Sequence, residues 1–126
     1  MSRAKNLANF QTTITDGTTS VATSFVTNGS AKAYMLFDGS ANTIKKSLNI
    51  ASLTDNGTGQ HDGNFISNMD SINFSALACS RTGGGAGDKQ YTNPNSAGNV
   101  DVTMYNSGGS FVDNSQVSIA VFGDLA

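Results

Sequence analysis

Ala31-Lys32-Ala33-Tyr34-Met35-Leu36-Phe37-Asp38-Gly39 decides how the chain is read. Ala33, Met35 and Phe37 stand two residues apart, the spacing that puts side chains on one face of a strand. Asp38-Gly39 then stops the run with residues that favour turns. The same period recurs downstream. Val100, Val102 and Met104 alternate with Asp101, Thr103 and Tyr105, and Val117, Ile119 and Val121 alternate with Ser118, Ala120 and Phe122. Leu48 and Ile50 read as one face of a run ending at Asp55-Asn56-Gly57-Thr58-Gly59, where Asn-Gly signals a hairpin, and the chain returns through Asn64-Phe65-Ile66. In residues 71–80, Ile72, Phe74, Ala76 and Ala78 oppose Leu77 and Cys79, and apolar groups on both sides suggest a central strand. About six or seven short strands result. Two one-sided sheets bury their apolar faces against each other, so the expected fold is an all-β, antiparallel β-sandwich of jelly-roll-like form.

Working outward, the composition changes near Ser30. Residues 11–30 are dominated by Thr and Ser, with Ile14, Val21, Phe25 and Val26 as the sizeable apolar groups, enough for one or two short strands. In the first ten residues Ala4, Leu7 and Ala8 fall at helical spacing behind Ser2, a candidate cap; the alternative is a frayed tail. The chain is therefore divided into an N-terminal extension, 1–30, and a sandwich domain, 31–126. Residues 81–99 form the longest interruption, holding a glycine-rich run and the sole proline, Pro94. Connections of that length are usually functional or unstructured. Lys89 and Tyr91 are its candidates for contact with a receptor or glycan; the alternative is a surface loop with no ligand.

Composition narrows the function. Gly, Ser, Thr and Asn supply nearly half of the 126 residues and Glu is absent, which disfavours a helical bundle. A net charge of −2 provides no basic field, so nucleic acid is not an expected partner. No apolar run approaches the ~18 residues that cross a bilayer, and no apolar segment follows Arg3 and Lys5, so the chain is read as soluble, without membrane insertion or secretion signal. Cys79 is the single cysteine and has no internal disulfide partner. Stability must come from packing, including packing against other copies.

The chemical motifs fail on spacing. Residues 83–90 lack the Gly-Lys-Ser/Thr end of a P-loop, and Asp88 occupies the third glycine of a dinucleotide fingerprint. His61 beside Asp62 would need both on one face of a strand, whereas neighbours point oppositely, so an exposed or interface histidine is expected rather than a catalytic one. A histidine shared by copies on a three-fold axis would bind metal only on a further assumption. Residues 55–59 lack the spaced carboxylates of a calcium loop and read as a turn held by local hydrogen bonds. No cofactor and no metal are expected. Among Tyr34, Tyr91 and Tyr105, the strand positions of Tyr34 and Tyr105 suit packing, which leaves Tyr91 as the ring for a sugar.

Residues 31–39, Ile44, Ser47-Leu48-Asn49-Ile50 and Ser52-Leu53-Thr54-Asp55-Asn56-Gly57-Thr58-Gly59 resemble a domain recurring in tailed-bacteriophage fibre and related virion proteins. Its pattern is Lys-Ala-Trp, an Asn-Phe-x-Gly turn, a strand with Ile and Asn, then Thr-Asp-x-Gly-Thr-Gly before a strand ending Asn-Phe. Asn64-Phe65, Met69 and Phe74-Ser75 continue it, and residues 117–123 resemble the closing strand. Tyr34 replaces the usual Trp, and Gln60-His61-Asp62-Gly63 departs from the pattern, implying irregular pairing after the hairpin. The resemblance implies a non-enzymatic virion structural protein, assembled in the host cytoplasm, in a tail fibre or related appendage. It also implies a homotrimer and contact with a bacterial surface glycan or protein. Arg3, Lys5, Leu7 and Phe10 are the candidates for attachment to other tail or head proteins. A head-decoration protein bridging capsid subunits is the alternative, and a glycan-degrading fibre enzyme a third.

Overall fold

The computed structural model describes residues 13–16, 19–81 and 88–126. Arg3, Lys5, Leu7 and Phe10, and the helical spacing around them, lie outside these. By contacts the chain separates into two compact units, Met1–Ser30 and Ala31–Ala126.

In the first unit, β1 (Thr13–Asp16) and β2 (Thr19–Ala22) pair antiparallel, with Ile14 opposite Val21. A short helix, α1 (Thr23–Gly29), follows, which the Thr- and Ser-rich composition did not signal. The Ser30 backbone N–H closes it on the Val26 carbonyl at 3.1 Å. No α1 residue is buried, and Phe25 and Val26 are exposed.

The second unit is an antiparallel β-sandwich of eight strands: β3 (Ala33–Asp38), β4 (Thr43–Leu48), β5 (Ile50–Gly57), β6 (Gln60–Phe65), β7 (Ser75–Arg81), β8 (Lys89–Ser96), β9 (Asn99–Tyr105) and β10 (Gln116–Phe122). One sheet runs β4-β3-β10-β7 and the other β5-β6-β9-β8. The first and last strands lie side by side, as in a jelly roll, while β3-β4, β5-β6 and β8-β9 are local hairpins. Alternation does what it should: Ala33, Met35 and Phe37, Val100, Val102 and Met104, and Val117, Ile119 and Val121 all point into one core, joined by Ile50, Phe65, Met69 and Phe74.

Three sequence expectations are corrected. Leu48 and Ile50 do not share a face: Asn49 between them adopts φ 55°, so the chain turns from one sheet into the other, leaving Leu48 exposed and Ile50 buried. The Asn49 side chain fixes that corner, accepting from Ser67 N–H at 2.8 Å and donating to its carbonyl at 3.0 Å. β7 is an edge strand rather than a central one and begins only at Ser75: Leu77 and Cys79 face outward on it, and Ile72 precedes it and is exposed. The interval 81–99 contains β8, whose inward positions Gln90, Thr92 and Pro94 carry too little apolar signal to show a period. Pro94 is accommodated because β8 is an edge strand.

The β5-β6 hairpin forms, but its positive-φ residues are Gly57 and Gly59 rather than the Asn-Gly pair as a unit. Asp55 Oδ1 accepts from Gly57 N–H at 2.9 Å, the local turn bond expected there. β6 pairs from Gln60 onward; the register shifts near that hairpin fall on β5, between Ile50 and Ser52 and between Asp55 and Gly57, while β6 meets β9 without a break. Gly59 also lies against β9, since a Cβ there would come within 2.6 Å of the Met104 carbonyl. Lys45 bridges the Asp38 carboxylate at 3.0 Å and the Ser115 carbonyl at 2.8 Å, and this lysine holds the Asp38 carboxyl below its ordinary value.

Candidate ligand-contact site

The outer face of the β5-β6-β9-β8 sheet is built of polar rows. Thr54, Asp62, Asp101 and Asn93 line up across all four strands, and Gln60, Thr103 and Tyr91 form the next row. Lys89 pairs with Tyr105 at the end of that sheet. The β9 chain then reverses through a turn held by Asn106: its side chain accepts from Ser110 N–H at 3.0 Å, and its carbonyl from Gly109 N–H at 3.0 Å. Gly109 takes φ 81°, a conformation that disfavours a side chain. The turn brings Phe111 back beside Tyr105.

Three rings meet there. Tyr105 stacks on Phe111 with centroids 4.8 Å apart and planes 26° from parallel, and Tyr91 meets Tyr105 edge-on at 5.7 Å. Tyr91 is 56% exposed and Phe111 45%, so apolar ring surface remains open to a ligand. An open recess of about 450 Å³ is lined by Lys89, Tyr91, Thr103, Tyr105 and Gly109. Lys89 is exposed and makes no ion pair among the described residues. Sequence reading singled out Lys89 and Tyr91, and the structure puts both on this recess. It missed Tyr105 and Phe111 because their meeting depends on the β8-β9 register and the Asn106 turn, which no local spacing reveals.

Further along the same face, Asp62 and Asp101 stand opposite each other. Partial burial, and secondarily the Asp62 charge, push the Asp101 carboxyl above its ordinary value. Like charges directly opposed on a sheet are unfavourable. Among the described residues, no group of three or more His, Cys or acidic side chains is placed to hold a metal ion.

His61 is not the exposed histidine expected: it is 1% exposed, on the inner face of its own sandwich, with its ring 5.4 Å from that of Phe37. The alternation that separates it from Asp62 sends the imidazole into the core. Neither of its nitrogens has a hydrogen-bond partner among the described residues. Asn114 is also buried; its side-chain amide donates to Ser80 Oγ at 2.8 Å, while its Oδ1 has no hydrogen-bond partner among the described residues.

The other sheet presents a different outer face. Leu48, Tyr34, Ala120 and Leu77 form one row across its four strands, and Lys46, Leu36, Ser118 and Cys79 the next. A shallow depression of about 210 Å³ includes Leu77, Cys79, Ser118 and Ala120 in its lining. No family model, curated protein or solved structure matches the chain. What the structure defines is an all-β sandwich with one apolar and one polar, aromatic-edged outer face.

Proposed function

We propose that the chain is a non-catalytic structural protein of a tailed-phage particle, part of a tail fibre or related surface appendage, and that it touches the host surface through the Lys89–Tyr91 recess. The observation that carries this reading is the recess itself: two tyrosine rings and a lysine that forms no ion pair among the described residues, set on adjacent strands of a packed sandwich. Such a surface holds a ligand without rearranging, and preorganisation lowers the entropic cost of binding. The histidine and the cysteine are both remote from it, one on the inner face and the other on the opposite sheet. The phage assignment rests on the resemblance of residues 31–80.

The outer face with exposed Leu48 and Leu77 supports assembly of copies, as a homotrimer in this reading, because apolar side chains exposed on a small domain are stabilised by burial. Residues 1–30 would serve attachment to other tail or head proteins. The same apolar face gives the head-decoration reading its specific support. Electron microscopy of tagged particles separates the two, as sparse label at the tail or dense label over the shell. The contact reading is tested by particles carrying Tyr91→Ala: adsorption to host cells falls while particle yield holds. Unchanged adsorption overturns it.

A further inference from the structure

We propose that the recess takes an acidic glycan, with a sugar carboxylate at the Lys89 ammonium and a pyranose ring lying on the exposed ring of Tyr91. This rests on the reading of the recess as a contact surface and names its ligand. A pyranose has an apolar C–H face and a polar rim, so it is matched by aromatic surface beneath and hydrogen-bonding groups beside it. The recess offers that pairing: open ring surface on Tyr91, with Tyr105 and Thr103 on the neighbouring strand. Its volume of about 450 Å³ lies in the range of small-ligand sites.

A protein partner would ask for a different surface. Stable protein interfaces cover roughly 800 Å² per side around an apolar centre. Beyond the three rings this face is Asn93, Asp101, Asp62, Thr54 and Asn64, small polar groups suited to hydroxyls.

Charge then selects among glycans. Lys89 has no acidic partner among the described residues, and an exposed ammonium beside an aromatic recess favours a ligand that carries the missing negative group. The Asp62–Asp101 pair lies two rows along the same face from the Lys89–Tyr105 pair, past the Tyr91–Thr103 row. It repels a second acidic group and accepts hydrogen bonds from hydroxyls, so the face has a positive and a negative end. A bound chain is thereby given a direction: its carboxylate at Lys89, its hydroxyl-rich stretch toward Asp101.

Calorimetric titration of the full chain with oligogalacturonate, and with the same oligomer methyl-esterified, separates charge from shape. The acidic oligomer binds and the ester binds about tenfold more weakly. Lys89→Gln brings the acidic oligomer down to the ester's affinity, Lys89→Arg restores most of it, and Tyr91→Ala weakens both. Lys46→Gln, which removes the same charge from the other sheet, changes neither. Equal binding of acid and ester, or no binding of either, overturns the acidic-glycan assignment. If adsorption still depends on Tyr91 in that case, the contact surface stands and only its ligand is wrong; adsorption that survives periodate treatment of the host points to a protein receptor. If adsorption ignores Tyr91, the surface reading itself fails.

Discussion

The two sheets are alike inside and opposite outside. Each contributes alternating apolar side chains to one core, Met35 and Val117 from one and Val100 and Met104 from the other. Outside, the β4-β3-β10-β7 sheet carries the row Leu48, Tyr34, Ala120 and Leu77, whereas the β5-β6-β9-β8 sheet carries Thr54, Asp62, Asp101 and Asn93. The inner faces answer to folding and have little freedom. The outer faces are free of that constraint and differ: one exposes leucines, the other small polar side chains with an aromatic edge, the contrast on which the proposed assembly and ligand surfaces rest.

The shared interior is the place to strike both faces at once, and the largest effect is expected there. Phe37 is wholly buried, and Phe37→Ala removes its burial and leaves a cavity, costing about 3–5 kcal/mol. Chemical denaturation should show that loss, and because one core supports both sheets, glycan binding and assembly should fail together. A variant that lost one function and kept the other would mean the sheets are stabilised separately.

Leu77→Asp tests the apolar face alone. At 65% exposure this side chain contributes little to the fold of a single copy, so the unfolding midpoint should scarcely move. Native mass measurement should instead show the assembly collapsing to a single copy of 13.0 kDa, while Tyr91→Ala leaves the assembly intact. A wild-type chain already at that mass under the same conditions would refute the role given to the Leu77 face.

The third effect returns to the core. His61 places two unpartnered nitrogens among Phe37, Met104 and Gly39, and buried polar groups without hydrogen bonds cost free energy. Leucine is of similar size and has no such groups, so His61→Leu is expected to raise stability by about 1–2 kcal/mol. Thermal denaturation reads the sign directly. A loss would show that the imidazole is held by its ring contacts more than it is penalised for its nitrogens.

These contrasts also mark what was legible in the sequence. The inward rows of β3, β9 and β10 were plain because burial imposes a two-residue period on each strand separately. β8 was not, since Gln90, Thr92 and Pro94 face inward at an edge and leave no apolar trace. The break between Leu48 and Ile50 was hidden because a single left-handed residue, Asn49, reverses which face the pattern reports. Lys89 and Tyr91 stood out as a cation and an amphipathic ring within a weakly patterned interval. Tyr105 looked like a packing residue, and only strand register shows that it lines the recess, with Phe111 stacked on it. The apolar outer row was invisible for the same reason: Leu48 and Leu77 become neighbours of a common face through β3 and β10, which are distant in sequence from one or the other.

The smallest effect probes the polar face at its own weak point. Folding pushes the Asp101 carboxyl above its ordinary value by partial burial and the nearby Asp62, so the folded state disfavours the ionised form. A raised carboxylate pKa means that folding takes up a proton between the unfolded and folded values, and stability is lost as the pH rises through that window. Asp101→Asn removes the charge at all pH values. At neutral pH it is expected to stabilise by a few tenths of a kcal/mol, because solvent screening keeps a partly solvated like-charge pair at the low end of cross-strand energies. The gain should shrink to nothing as the pH falls below 3.8, the ordinary value for this group, where the native aspartate is itself protonated. Paired denaturation curves at neutral and acid pH measure the difference. A gain that persisted in acid would place its origin in shape or hydrogen bonding rather than charge, and the negative end assigned to this face would lose its electrostatic basis.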